Sequence, residues 1–238
     1  MARTRTLVQL RTEVLQTADM ENVGAFLDTA TGGEVDRYIN ASIQDLYDLI
    51  VEVMGQEYFL KSNTFSTVGG TEEYTIDTTV GGAFEEFYAL RGVDWESGDD
   101  KYPLRPYSFD ERHDDNNVWY PVSIEGKPSR YRLSGSSATT GHTSTIRLTP
   151  TPAGVGTIRL WYIPHSPLLA LDTDVFDGFN GWEEYVVVDA AIKCLQKEES
   201  DTQALEVRKN RLIERIRSMA ANRDMGHNET VADTEDYC

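Results

Sequence analysis

The chain has 238 residues, of which 39% are hydrophobic, 10% aromatic and 26% charged, the profile of a globular protein of one large or two small domains. Its net charge of −18 argues against a role in gripping free nucleic acid. No apolar run is long enough to span a bilayer, and the basic start "MARTRTLVQL" has no apolar h-region, so a cytosolic product is expected.

Proline and glycine divide the chain. All eight prolines lie between Pro103 and Pro167, and no glycine occurs from Glu34 to Met54 or from Trp182 to Met225. Helix interiors exclude both residues, so helical ends are expected around a non-helical middle. The first helix is expected at 4–17, with Leu7, Leu10, Val14 and Leu15 on one side. A loop at 19–33 leads to a second helix at 34–54. There Val35, Ile39, Ile43, Leu46, Ile50 and Val53 recur at helical spacing, and Gly55 is placed to end it.

From 57 to 165 the pattern turns to period two. "EYTID", "FYALRGV", "SRYRLSG", "STIRLTP" and "TIRLWYIP" are short, β-branched or aromatic, and separated by turns such as "VGG" and "ESGDD". They predict an antiparallel sheet folded into a small sandwich or barrel.

The segment "NGWEEYVVVDAAIKCLQKEES" (180–200) contains three consecutive valines, yet it lacks turn residues for nearly twenty positions, too long for an ordinary strand. Asn180 with Glu183 makes a capping-box pattern, and Asp189, Lys193, Gln196 and Lys197 fall on one polar face. It is read as a helix at 181–199, with burial overriding valine's weak helix propensity. A final helix at 201–222 carries an apolar stripe of Leu205, Leu212, Ile216 and Met219 and a basic flank that includes Arg208, Arg211 and Arg215. The segment 224–238 holds five acids and no Lys or Arg, and is read as a mobile acidic tail.

The expected fold is therefore α+β: a helical bundle from both ends of the chain with an inserted antiparallel β-rich domain. The divisions are 1–56, 57–168, 169–223 and 224–238. The predicted bundle core is Ile39, Ile43, Leu46, Ile50, Trp182, Tyr185, Val187, Ile192, Leu195, Leu212 and Ile216.

No catalytic signature is present: there is no phosphate loop, HExxH or GxSxG, and His113, His142, His165 and His227 are scattered. Cys194 and Cys238 form neither a disulfide framework nor a zinc motif. "DTDVFDGFNGWE" (172–183) has acids at the first, third and twelfth positions of a calcium loop. Phe176 stands at the fifth, however, and Asp177 at the sixth, where such a loop needs glycine. It is read as a turn leading to a helix cap, and no metal or cofactor is assigned. The acid-rich "DWESGDD" (94–100) and "DERHDD" (110–115) are read as solvated loops. The basic flank at 208–215 is read either as a solvated face or as an ion-pairing surface for an acidic partner.

Five segments in order, "RYINASIQDLYDLIVEVMGQEYFLK" (37–61), "FYALRGVDW" (87–95), "YPLRPYSFDER" (102–112), "TIRLWYIPHSP" (157–167) and "DGFNGWEEYVVVDAAIKCLQKEESD" (177–201), resemble a tailed-phage head-to-tail adaptor. The resemblance implies a non-enzymatic virion protein of the neck, assembled in the host cytoplasm. Such a protein forms a homo-oligomeric ring, usually of twelve copies, beneath the portal ring. It would contact tail or neck proteins, and genomic DNA would pass through its channel without sequence-specific binding or any membrane contact. In that setting Arg208, Arg211 and Arg215 would face a neighbouring subunit or the portal, and acids of 94–100, 110–115 or the tail would face the lumen or the outer tail surface. Another neck, tail-tube or assembly protein is one alternative, and a metal-dependent enzyme built around Asp172 is another.

Overall fold

The computed structural model describes residues 4–20, 28, 30–55, 57–77, 87–111, 126–135, 143–177 and 181–221. It is mixed α+β, and it divides into two compact units. One combines 1–55 with 166–238, and the other is 56–165.

The helical unit begins with a short strand, β1 (Thr4–Thr6), followed by α1 (Leu7–Thr17). The helix expected at 4–17 thus starts three residues late. A capping box explains the boundary: Thr6 Oγ1 accepts from the Gln9 N–H, and Gln9 Oε1 accepts from the Thr6 N–H at 3.0 Å. The three residues before it pair antiparallel with β10 (Val175–Asp177), a strand where the sequence pattern predicts a turn.

Next comes α2 (Glu34–Met54), ended by Gly55 at φ 82°, a backbone conformation that favours glycine. Two more helices close the unit, α3 (Glu183–Lys197) and α4 (Gln203–Ala221). α3 packs against α1, α2 and α4. That explains its composition: Val186, Val188, Ala190, Ala191 and Cys194 have no accessible surface. Each large apolar side chain so buried contributes about 1.5–3 kcal/mol, which outweighs a few tenths lost to propensity. The predicted cap at Asn180 lies outside the described residues. Trp182 occupies the N-cap position of α3 and makes no side-chain capping hydrogen bond.

The β unit holds two four-stranded sheets. In the first, β2 (Lys61–Ser66), β9 (Thr157–Pro164), β4 (Phe87–Ser97) and β5 (Asp100–Pro103) lie side by side in that order. In the second the order is β3 (Glu73–Asp77), β8 (Thr143–Thr149), β7 (Arg130–Gly135) and β6 (Arg105–Pro106). All pairings are antiparallel except β6 with β7, which is parallel. A single core joins the sheets, with Ile76, Tyr131, Ile146 and Leu148 from one meeting Val93, Trp95, Ile158, Leu160 and Tyr162 from the other. These residues alternate with polar ones, as a sheet with one wet face requires.

Candidate interaction surface

The helical unit is locked by two ionic clusters. In the first, Arg11 on α1 forks onto Asp36 of α2, with Nε 2.8 Å from Oδ1 and Nη2 2.7 Å from Oδ2. Nη2 also reaches Asp172 Oδ1 at 2.9 Å, and the same oxygen accepts from Thr31 Oγ1. The Arg11 bond, followed by that of Thr31, holds the Asp172 carboxyl below its usual range. Asp174 accepts from the backbone N–H groups of Ala170 and Leu171. Two of the three acids that suggest a calcium loop, Asp172 and Asp174, are therefore occupied in fixing the entry to β10. Asn40 joins them by bonding both the N–H and the C=O of Leu169. Apart from the local bonds of Asp174, none of these ties was signalled in the sequence, since the partners lie 25 to 161 residues apart.

The second cluster is centred on Asp189. Lys209 Nζ of α4 is 2.6 Å from Oδ1, and Lys193 Nζ is 2.8 Å from Oδ2. Lys193 also reaches Asp45 and Ser42 on α2. The i, i+4 pair expected from the sequence is present, but its setting differs from expectation: Asp189 is buried beneath α4 and does not lie on a solvated face. Burial alone would raise its pKa; the bonds to Lys193 and Lys209 outweigh that and lower it. Nearby Cys194 is buried, and loss of solvent pushes its thiol up to about 11.

Among the predicted core residues, Ile39, Ile43, Leu46, Ile50, Trp182, Tyr185, Val187, Ile192 and Ile216 are buried, whereas Leu195 and Leu212 are half-buried. The predicted interface arginines are all exposed on α4. Arg208 donates to Glu184 of α3, at 3.0 Å from Nε. Arg211 and Arg215 have no partner among the described residues. With exposed Val207 at 47% accessibility, they make a free helical face. The tail 224–238 and residues 112–115 lie outside the described residues.

Three of the four acids at 94–100 are tied down. Asp94 Oδ2 accepts from Trp161 Nε1 at 2.6 Å, Glu96 receives the Arg159 fork at 2.8 and 3.2 Å, and Asp100 pairs with Lys127 at 2.9 Å. Among the described residues there is no group of three or more potential metal ligands, and no helix is long and apolar enough to cross a membrane.

The described helices and sheets thus carry charged side chains on their outer faces. Its ionisable clusters brace one element against another. No curated protein matches the chain. A family model described as SU10 adaptor protein matches residues 5–232, nearly the whole length and across both units. The chain belongs to the SU10 adaptor protein family and is a structural adaptor of a bacteriophage.

Proposed function

We propose that this adaptor docks as a ring of copies beneath the portal, extends the DNA channel and offers the platform to which the tail attaches. The observation that carries the reading is the family match over residues 5–232. In this reading the four helices serve as the bundle, the β unit is its inserted domain, and the ring is a dodecamer with neck or tail proteins on its far side. The net charge of −18 suits a wall along which DNA slides, because a basic lining would retain phosphates. The exposed α4 face carrying Arg211 and Arg215, extended by Arg208, is the portal- or subunit-facing surface.

The test is to mix the chain with the portal ring of the same phage, measure the mass of the complexes, and image them. An added ring of many copies at the narrow end of the portal is expected. If intact portal gains no mass, the docking role is wrong.

A further inference from the structure

The helix α4 is held differently from α3. Among its described side chains Ile216 alone is buried, and Leu205, Leu212 and Ile213 are half-buried. The shorter α3 buries nine residues. The seat of α4 on α2 and α3 therefore combines a thin apolar stripe with ion pairs at three points. Lys209 meets Asp189 at 2.6 Å, Arg208 donates to Glu184 at 3.0 Å, and Arg217 lies 3.8 Å from Glu52. The last two pairs are exposed, and exposed pairs hold little against water and salt.

The connection from α3 to α4 is strained. Glu199 sits at φ 59°, in the left-handed region that favours glycine. The end of α3 fixes it there: Ser200 N–H donates to Leu195 O at 3.0 Å, and Glu199 N–H donates to Gln196 O at 3.2 Å. Glu198 and Glu199 also place two exposed carboxylates at the C-terminus of α3, where the helix dipole disfavours negative charge. In contrast, α4 carries what it needs to persist as a helix off its seat. It runs for 19 residues rich in Ala, Leu, Arg and Glu. Its start travels with it, since Asp201 accepts from the Gln203 N–H at 3.0 Å and Thr202 Oγ1 donates to Glu206 at 2.7 Å.

We propose that α4 is an exchangeable arm: when copies are held side by side, the connection at 198–202 opens and α4 of one copy takes the α2–α3 seat of the next. This rests on the reading of the chain as a homo-oligomeric ring. The seat selects its occupant, because Glu52, Glu184 and Asp189 meet the same three cations whether α4 comes from their own chain or from a second copy. The contacts of the closed form are regained, while the backbone at Glu199 is relieved. A dilute chain stays closed, because association then costs more than the relief contributes. Neighbours fixed on a portal have a high effective concentration, and there the exchange proceeds. Each copy gives one helix and receives one, a head-to-tail contact that leaves no seat empty once the ring closes.

The experiment places cysteines on both sides of the seat in E184C/R208C, with the terminal Cys238 replaced as C238S and Cys194 left buried. A short bis-maleimide links the two positions, and a denaturing gel shows whether the link lies within one chain or between two. Circular dichroism checks folding, and E52C/R217C probes the same seat if the first pair fails to fold. The dilute free chain is expected to give internally linked monomers, and the ring assembled on portal a ladder of chains linked one to the next. E199G removes the strain of the closed form, so its ladder should appear only at a concentration raised by about fivefold or more. If the assembled ring yields only internally linked single chains, or E199G exchanges as readily as wild type, the exchange is wrong while the ring reading stands. If wild type adds no ring to intact portal, the ring reading fails and the exchange fails with it.

Discussion

Asp189 and Lys209 meet 2.6 Å apart, joining α3 to α4 by a pair whose carboxylate is buried while the lysine side chain stays 29% exposed. Removing the carboxylate takes the shared anion from Lys193 and Lys209, which keep partial access to water. Asp189→Ala should therefore cost about 1–3 kcal/mol, less than breaking a fully buried pair. Urea denaturation followed by circular dichroism measures it. A change within experimental error would mean that the pair contributes nothing net.

The same carboxylate predicts an acid limb of stability. Its folded pKa is depressed, so its contribution is present above the unfolded value, about 4, and is lost as pH falls through the folded value. The melting temperature should drop more steeply below pH about 4 in wild type than in Asp189→Asn. Parallel curves for the two proteins would contradict this assignment.

The buried side of α3 predicts a second stability effect. Ile192 is almost fully enclosed. Ile192→Ala should cost about 2–5 kcal/mol through lost contacts and a cavity, and Ile192→Asp should abolish the cooperative melt of the helical unit. A melt of Ile192→Asp that barely moved would place that face in solvent.

How legible all this was from sequence depended on the range of the causes. The helix at 34–54 was read with its observed boundaries, because five apolar residues from Val35 to Ile50 repeat without a break. β9 was read equally well, because Ile158, Leu160 and Tyr162 alternate cleanly with Thr157, Arg159 and Trp161. β2 passed unnoticed. Its sequence KSNTFS is mostly polar, with Phe65 its one apolar contact to the core, as befits an edge strand. Asp189 was assigned to a wet face because its i, i+4 partner is visible locally, whereas the helix that covers it comes twenty residues later. The adjacency of arginines on the β3–β8–β7–β6 sheet was hidden for the same reason. Arg105, Arg132 and Arg147 are far apart in the chain and become neighbours only through strand register.

The junction of β2 and β9 supplies a backbone prediction. Gly156 exchanges hydrogen bonds with Thr67, with Thr67 N–H donating to Gly156 O at 2.8 Å. A Cβ on Gly156 would run into the Trp95 indole in the core of the β unit. Gly156→Ala should therefore cost about 1–3 kcal/mol by overpacking. Intrinsic tryptophan fluorescence during denaturation reports the shift. An unchanged midpoint would show that Trp95 can move aside.

Arg211 and Arg215 predict a separation of assembly from folding. Both project from α4 into solvent, so R211E/R215E should alter stability by no more than about 0.5 kcal/mol. Binding to the portal ring should weaken, which titration by mass measurement would detect. Portal binding equal to that of wild type would remove α4 from the docking surface.

The interruption of the helical unit by residues 56–165 also sets an order of events during synthesis. Translation delivers about 5–20 residues per second. α1 and α2 therefore leave the ribosome well before α3, the helix that covers their apolar stripes, has been made. The β unit has all its strands by Pro164 and can fold while those stripes are still waiting. The nascent chain spends its riskiest interval as a finished sandwich tethered to two unfinished helices, and it is at this stage that host chaperones would have most to hold.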